Sequence, residues 1–292
     1  MERVMFQALY FALLWFALTP YSLRNDISAT PALITVDAGH PGAAISPQMY
    51  GIFFEDINFA ADGGLYPELV KNRSFEFNDP LMGWHEIMAV DAKGIVPPKG
   101  ELDIRTDDPQ NATNPHYLRA RVFDPGYGFF NTGFRGMGIQ NGAEYRFSAF
   151  VRSSGTQSVR AVVTDADGHE IGSGRLEGFD GTWKHYETVI RATGSDQHAR
   201  LDLYIDDKGS VDLDLVSLYP VDTWKRRPNG LRKDLVQLLY DMHPGFIRFP
   251  GGCIVEGRRL VNRYQWKTTV GDISQRKTIV NRWNDEFDQR PA

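Results

Sequence analysis

Residues 51–77, G-I-F-F-E-D-I-N-F-A-A-D-G-G-L-Y-P-E-L-V-K-N-R-S-F-E-F, and residues 246–253, F-I-R-F-P-G-G-C, decide the fold. Each begins as a short apolar strand and ends in polar groups: Glu55, Asp56 and Asn58 in the first, and Arg248 with a Pro-Gly-Gly turn in the second. In a (β/α)8 barrel the functional groups stand at the C-terminal ends of the strands, so two such junctions read as neighbouring strand ends of one barrel. The run Met49 to Phe54 is almost continuously apolar, the pattern of a strand covered on both faces. Gly64 to Phe75, with Leu65, Leu69 and Val70 on one side, reads as the helix that follows it.

Leu231, Leu235, Leu238, Leu239 and Met242 recur at helical spacing and predict a helix with one apolar stripe. His243-Pro244-Gly245 stops it, and Phe246 to Phe249 is the next strand. Between these barrel elements, from about 78 to 219, the texture changes. Residues 145–152, 159–163, 183–189, 199–205 and 211–215 alternate with period 2 between turn residues, as in a β-sandwich. The fold class is therefore α/β plus all-β: the N-terminal portion of a TIM barrel interrupted by a β-sandwich. The expected boundaries are 1–30 for a leader, 31–74 for the start of the barrel, 75–222 for the insertion and 223–292 for the barrel's continuation. A further strand is expected over Ala32 to Val36, and the last residues, 287–292, read as lacking a closing strand.

Composition narrows the function. The 292 residues are 42% hydrophobic, 24% charged and 12% aromatic, with a net charge of −5. That acidity argues against a nucleic-acid partner, which needs a basic face to release counterions. With Cys253 as the single cysteine there is no internal disulfide and no C-x-x-C site. Phosphate-loop, zinc-protease and nucleophile-elbow motifs are missing, and the seven histidines have no metal-ligand spacing. No cofactor and no metal is expected. The apolar run Met5 to Leu18 suits a secretory signal better than a membrane span, with an uncleaved anchor as the alternative. Export to a secreted or periplasmic location is the expectation. The sequons at Asn72 and Asn111 matter only in a glycosylating pathway.

Taken together, residues 46–77, N-G-L-R-K-D-L at 229–235, R-F-P-G-G-C at 248–253, Y-Q-W-K-T-T-V-G at 264–271 and N-R-W-N at 281–284 resemble the α-L-arabinofuranosidases of glycoside hydrolase family 51. The insertion, closing with V-D-L-D-L-V-S-L-Y-P at 211–220, resembles a family 4/9-type carbohydrate-binding module of jelly-roll fold. The resemblance implies retaining removal of terminal α-L-arabinofuranosyl groups from arabinoxylan, arabinan or arabino-oligosaccharides. That chemistry needs two carboxyl groups about 5–5.5 Å apart. In the family both catalytic glutamates come from later strands, so they are expected beyond residue 292, and this stretch alone is expected to be inactive. Homo-oligomerisation is open for the full-length enzyme. A second reading, from a different class, is a non-catalytic carbohydrate-binding protein acting through the sandwich.

The resemblance marks Glu55 as the sugar-binding glutamate, accepting hydrogen bonds from arabinose hydroxyls, with a carboxylate that ties down the loop as the plain alternative. Arg248 corresponds to an arginine beneath the catalytic carboxylates, Cys253 to a pocket-lining position and Trp283 to a wall of the sugar subsite. Asn58 reads as loop support, and Glu256 and Trp266 as scaffold or outer-subsite residues. Glu55 and Asp56, as neighbours on a strand, face opposite ways and cannot be the catalytic pair. In the insertion, Trp84, Tyr117, Phe134 and Trp183 are glycan platforms or core. Tyr127, Phe129 and Phe130, in a glycine-rich stretch, are the preferred exposed candidates. Asp206, Asp207, Asp212 and Asp214 read as a solvated acidic face or a calcium site. Only the sandwich, 75–222, is expected to fold by itself.

Overall fold

A computed structural model describes residues 32–57, 59–88, 90–91, 94–95, 97–257, 259–280 and 289–291. The expected leader, Asn58 and Trp283 therefore lie outside the described residues. The chain divides into two units, Met1–Ile45 and Ser46–Ala292. In the first, Asp37 closes a turn by accepting hydrogen bonds from the Gly39 amide and the His40 ring. The strand expected over Ala32 to Val36 is not formed, and Leu33, Ile34 and Val36 are exposed. A short apolar run without a partner strand does not make a ladder.

The second unit opens with β1 (Gly51–Phe53). Among the described residues, thirteen strands follow before the chain returns to it. They are β2 (Trp84–Glu86), β3 (Val90–Asp91), β4 (Gly94–Ile95), β5 (Gly100–Arg105), β6 (Tyr117–Val122), β7 (Tyr127–Asn131) and β8 (Met137–Ile139), then β9 (Glu144–Arg152), β10 (Val159–Thr164), β11 (Glu170–Leu176), β12 (Lys184–Arg191), β13 (Asp196–Ile205) and β14 (Gly209–Pro220). Apart from the small β3–β4 hairpin they build two antiparallel sheets. One runs β11-β10-β13-β7-β2, with β8 also paired to β13; the other runs β12-β9-β14-β6-β5. Their inner faces share one core that includes Phe129, Phe147, Leu201, Leu203 and Leu213. This is the sandwich that the alternation predicted.

Beyond it come α1 (Lys233–Asp241), β15 (Phe246–Arg248), the short α2 (Cys253–Glu256), β16 (Thr278–Val280) and β17 (Gln289–Pro291). β15 pairs with β1 in parallel, Gly51 opposite Phe246 and Phe53 opposite Arg248. The two strand readings at 51 and 246 thus meet as neighbours, with the sandwich between them in sequence. β16 and β17 form an antiparallel pair, so the end of the chain does carry a strand.

Two expectations fail here. The β1–β15 pair is not covered on both faces: Phe53 is 54% exposed and Phe246 is 51% exposed. Residues 64–75 form no helix, but an irregular run of turns and bends that enters the sandwich core. Leu69, Val70, Phe75 and Phe77 are buried there. The reason is Glu68. Its buried carboxylate accepts hydrogen bonds from the Val70 and Leu218 amides (3.0 Å each) and from Ser217 Oγ (2.6 Å). It also pairs with Arg73 at 2.9 Å. A bulge in β14, with Leu215 at φ 48°, presents Ser217 and Leu218 to it. A helix over these residues would forfeit all of these bonds, and the cost of burying an unpaired carboxylate decides the local conformation. Leu69, Val70 and Phe75 thus belong to the sandwich core.

A second tie sits elsewhere on the sandwich. Buried Asn114 donates both amide hydrogens, to the carbonyls of Ser274 and Arg276 (2.8 Å each).

Candidate functional site

Parallel pairing carries the polar ends of β1 and β15 to the same edge. Beyond the strands the two segments stay in register: the Phe54 amide donates to the Arg248 carbonyl (3.0 Å) and the Asp56 amide to the Pro250 carbonyl (2.8 Å). Side chains alternate along this ribbon. Ile52, Phe54, Ile247 and Phe249 turn towards Val236 and Leu239 of α1 and line a cavity of about 770 Å³. That cavity is dominated by apolar side chains, and a sugar's hydroxyls would find few partners among them. Phe53, Glu55 and Arg248 belong to the opposite face.

There the sequence-predicted groups come together. The Arg248 guanidinium lies over the Phe53 ring, 4.9 Å from its centroid. Stacking of this kind leaves the in-plane N–H groups free to meet a carboxylate. Glu55 Oε1 accepts a hydrogen bond from the Gly252 amide at 3.2 Å, across 197 positions of sequence. Asp56 points elsewhere, accepting from the Ala61 amide at 3.3 Å. The two adjacent carboxylates thus diverge, as expected. Cys253 begins α2 beside this turn and is exposed. Glu256 closes the same helix, and Trp266 is 63% exposed, so it is not a core scaffold residue.

The sandwich candidates divide between core and surface. Tyr127 is 2% exposed and Phe129 is fully buried, so both are core and present no glycan platform. Period-2 alternation along β7 sends Phe130 the other way. It is half-buried on the outer face, next to His85 (ring centroids 5.2 Å apart) and under the Arg200 guanidinium at 4.4 Å. Trp84 and Tyr117 are core. Trp183 and Phe134 are half-buried, and the Arg152 guanidinium stacks 4.7 Å from the Trp183 ring.

The four aspartates do not share one face: Asp212 and Asp214 are buried, Asp206 is half-buried and Asp207 is exposed. Asp206 takes Ser158 and Arg175, Asp207 takes Thr156, and buried Asp212 takes Arg119 and Arg152. Asp214 is buried beside the bulge with Oδ2 unpaired, and this burial raises its pKa well above the ordinary carboxylate value. Among the described residues the metal-like grouping is Asp165, Asp167 and His169. It is explained as a turn, because Asp165 accepts the amides of the other two.

The sequons also resolve. Asn72 is 2% exposed and its amide donates to the Asp79 and Pro80 carbonyls. Asn111 is 8% exposed and accepts from the Thr113 amide. Neither can take a glycan in the folded state.

Comparison with known proteins points one way. The family model described as "Alpha-L-arabinofuranosidase 1 domain" matches residues 238–290. An extracellular exo-α-L-arabinofuranosidase of Streptomyces chartreusis is 38% identical, across 91% of this chain and 32% of its own length. The relatives matched here are named as α-L-arabinofuranosidases. Arabidopsis thaliana α-L-arabinofuranosidase 1 is 37% identical, across 87% of this chain and 39% of its own. An arabinose-bound GH51 α-L-arabinofuranosidase structure superposes with a TM-score of 0.74 at 29% identity, covering 86% of this chain and 41% of that one. The chain thus spans a third to two fifths of the length of these relatives. Among the described residues no helix is long and apolar enough to cross a membrane.

Proposed function

We propose that these residues form the front of an exported α-L-arabinofuranosidase: a (β/α)8 barrel whose first connection carries an inserted jelly-roll module. It removes terminal non-reducing arabinofuranosyl groups from arabinoxylan, arabinan or arabino-oligosaccharides with retention of configuration. The observation that carries this reading is the parallel β1–β15 pair, which brings Glu55 and Arg248 to one strand edge on one face. Glu55, already held by an amide, accepts hydroxyl hydrogens of the sugar. Arg248 holds a catalytic carboxylate ionised and oriented. In this reading the catalytic pair lies beyond residue 292, and no carboxylate here is assigned to it. Retaining glycoside hydrolysis by two carboxyl groups requires no cofactor.

The test is hydrolysis of p-nitrophenyl α-L-arabinofuranoside by the 292-residue chain and by the polypeptide encoded when the reading frame is followed past codon 292. The chain alone is expected to be inactive. The longer product is expected to release the α-anomer first, and Glu55→Ala to lower its kcat/KM by about 10–100-fold, the value of a hydrogen bond to a charged group. Turnover by the chain alone, or initial release of the β-anomer, would sink the proposal.

A further inference from the structure

The strand-end turn places two glycines against the one carboxylate that the site reading depends on, and they meet it differently. At Gly251 φ is +138°, and a Cβ there would stand 2.4 Å from Glu55 Cγ, 2.8 Å from its Cβ and 3.0 Å from its Cα. The stem of Glu55 therefore lies flat on Gly251. It has no room to retreat, because the next residue's amide is bonded to the Pro250 carbonyl at 2.8 Å. At Gly252 φ is −103°, outside the left-handed region. A Cβ there would meet Arg248 Nη2 at 3.6 Å and Glu55 Oε1 at 3.9 Å, both ordinary contacts. A methyl group fits at 252, but it lies within van der Waals reach of both the carboxylate and the guanidinium.

We propose that the glycine pair sets the subsite: Gly251 is a positioning residue that fixes the Glu55 stem, and Gly252 keeps open the gap through which a pentofuranosyl edge reaches the Glu55 carboxylate. This rests on the reading of Glu55 as the acceptor of sugar hydroxyls. The amide of Gly252 aims Oε1, and the missing side chain at the same residue leaves that oxygen approachable. The two functions need different substitutions to break them. Adding a methyl at 251 displaces the carboxylate; adding one at 252 leaves the carboxylate in place and blocks the approach.

The experiment uses the 292-residue chain, 15N-labelled at glycine. In the first arm the Gly252 amide shift is followed between pH 3 and 7 without ligand. It should move with the ionisation of Glu55, lie flat in Glu55→Gln, and lose most of its movement in Gly251→Ala. An unchanged titration in Gly251→Ala overturns the positioning role. Should that variant fail to fold, a Gly252 amide that still titrates in Glu55→Gln overturns it instead. In the second arm methyl α-L-arabinofuranoside is titrated into the wild type and Gly252→Ala. The variant should keep the wild-type melting temperature and bind at least tenfold more weakly. Equal affinity overturns the gap. If the wild type itself shows no binding, the sugar reading of Glu55 and the gap fall together, while the positioning of Glu55 stands on the first arm.

Discussion

Replacing Glu68 by alanine should be the most damaging single change in the sandwich. The carboxylate is the acceptor for Arg73, Ser217 and the Val70 and Leu218 amides, and its side chain is 3% exposed. Removing it strands a guanidinium that is itself only 13% exposed. Breaking a buried pair by deleting one partner costs about 3–5 kcal/mol. Each buried amide left without an acceptor adds about 1–3 kcal/mol, less whatever water recovers. A loss of at least about 4 kcal/mol is expected, against a total of about 5–15 kcal/mol for a domain. With a urea dependence of about 2 kcal/mol per molar, the unfolding midpoint should fall by roughly 2 M. Urea titration followed by tryptophan fluorescence at pH 7 reads this directly. Glu68→Gln, which keeps one acceptor oxygen, should fall between the two. Arg73→Met in the Glu68→Gln background should cost much less than the sum of the single changes, because neither charge is then left alone. A midpoint shift below about 0.5 M for Glu68→Ala would refute the claim that this carboxylate holds residues 68–77 to the sandwich.

Other expectations follow from the same geometry. Burial raises the Asp214 pKa in the folded state, so the folded protein holds this proton more tightly than the unfolded chain does. Its contribution to stability is therefore present at low pH and is lost as pH rises from the ordinary carboxylate range through the folded pKa. Asp214→Asn should be more stable than the wild type at pH 7.5 in thermal melts, with a flatter pH dependence; equal stability at both pH extremes would contradict this. Expression in a glycosylating host should add no glycan mass at Asn72 or Asn111 once the chain has folded, as intact-mass measurement will show. A quantitatively modified Asn72 would mean that modification precedes burial.

Much of the architecture was legible because period and length are local signals. The strands at 144–152, 159–164, 184–191, 196–205 and 209–220 fall where the alternation put them, and α1 falls within the leucine repeat. What failed was decided by contacts across the sequence. Residues 64–75 carry a helical pattern, but Ser217 and Leu218 draw Glu68 into an irregular path. Tyr127 and Phe129 sit among glycines, which suggested a loop. Those glycines lie in a strand, and Gly128 is small because the Tyr204 ring covers it, 2.7 Å from where a Cβ would be. Strict alternation along β7 would have separated Phe130 from its two neighbours. At the strand ends, sequence named Glu55 and Arg248 but not how Glu55 is held. That holding comes from an amide and a bare Cα almost two hundred residues away, which no local pattern encodes.

The position of the sandwich also bears on how β1 finds β15. In an unstructured chain, joining these strands means closing a loop of nearly two hundred residues. In the folded sandwich the two arms leave almost from the same spot, because the Leu69 amide bonds the Leu218 carbonyl and the Arg232 amide bonds the Leu65 carbonyl. Once that unit has formed, the search shrinks from roughly 190 residues to roughly 25, a saving of about 2 kcal/mol in closure entropy. The insertion is in this sense a splint: with its antiparallel contacts made, it holds the approaches to two distant strands side by side.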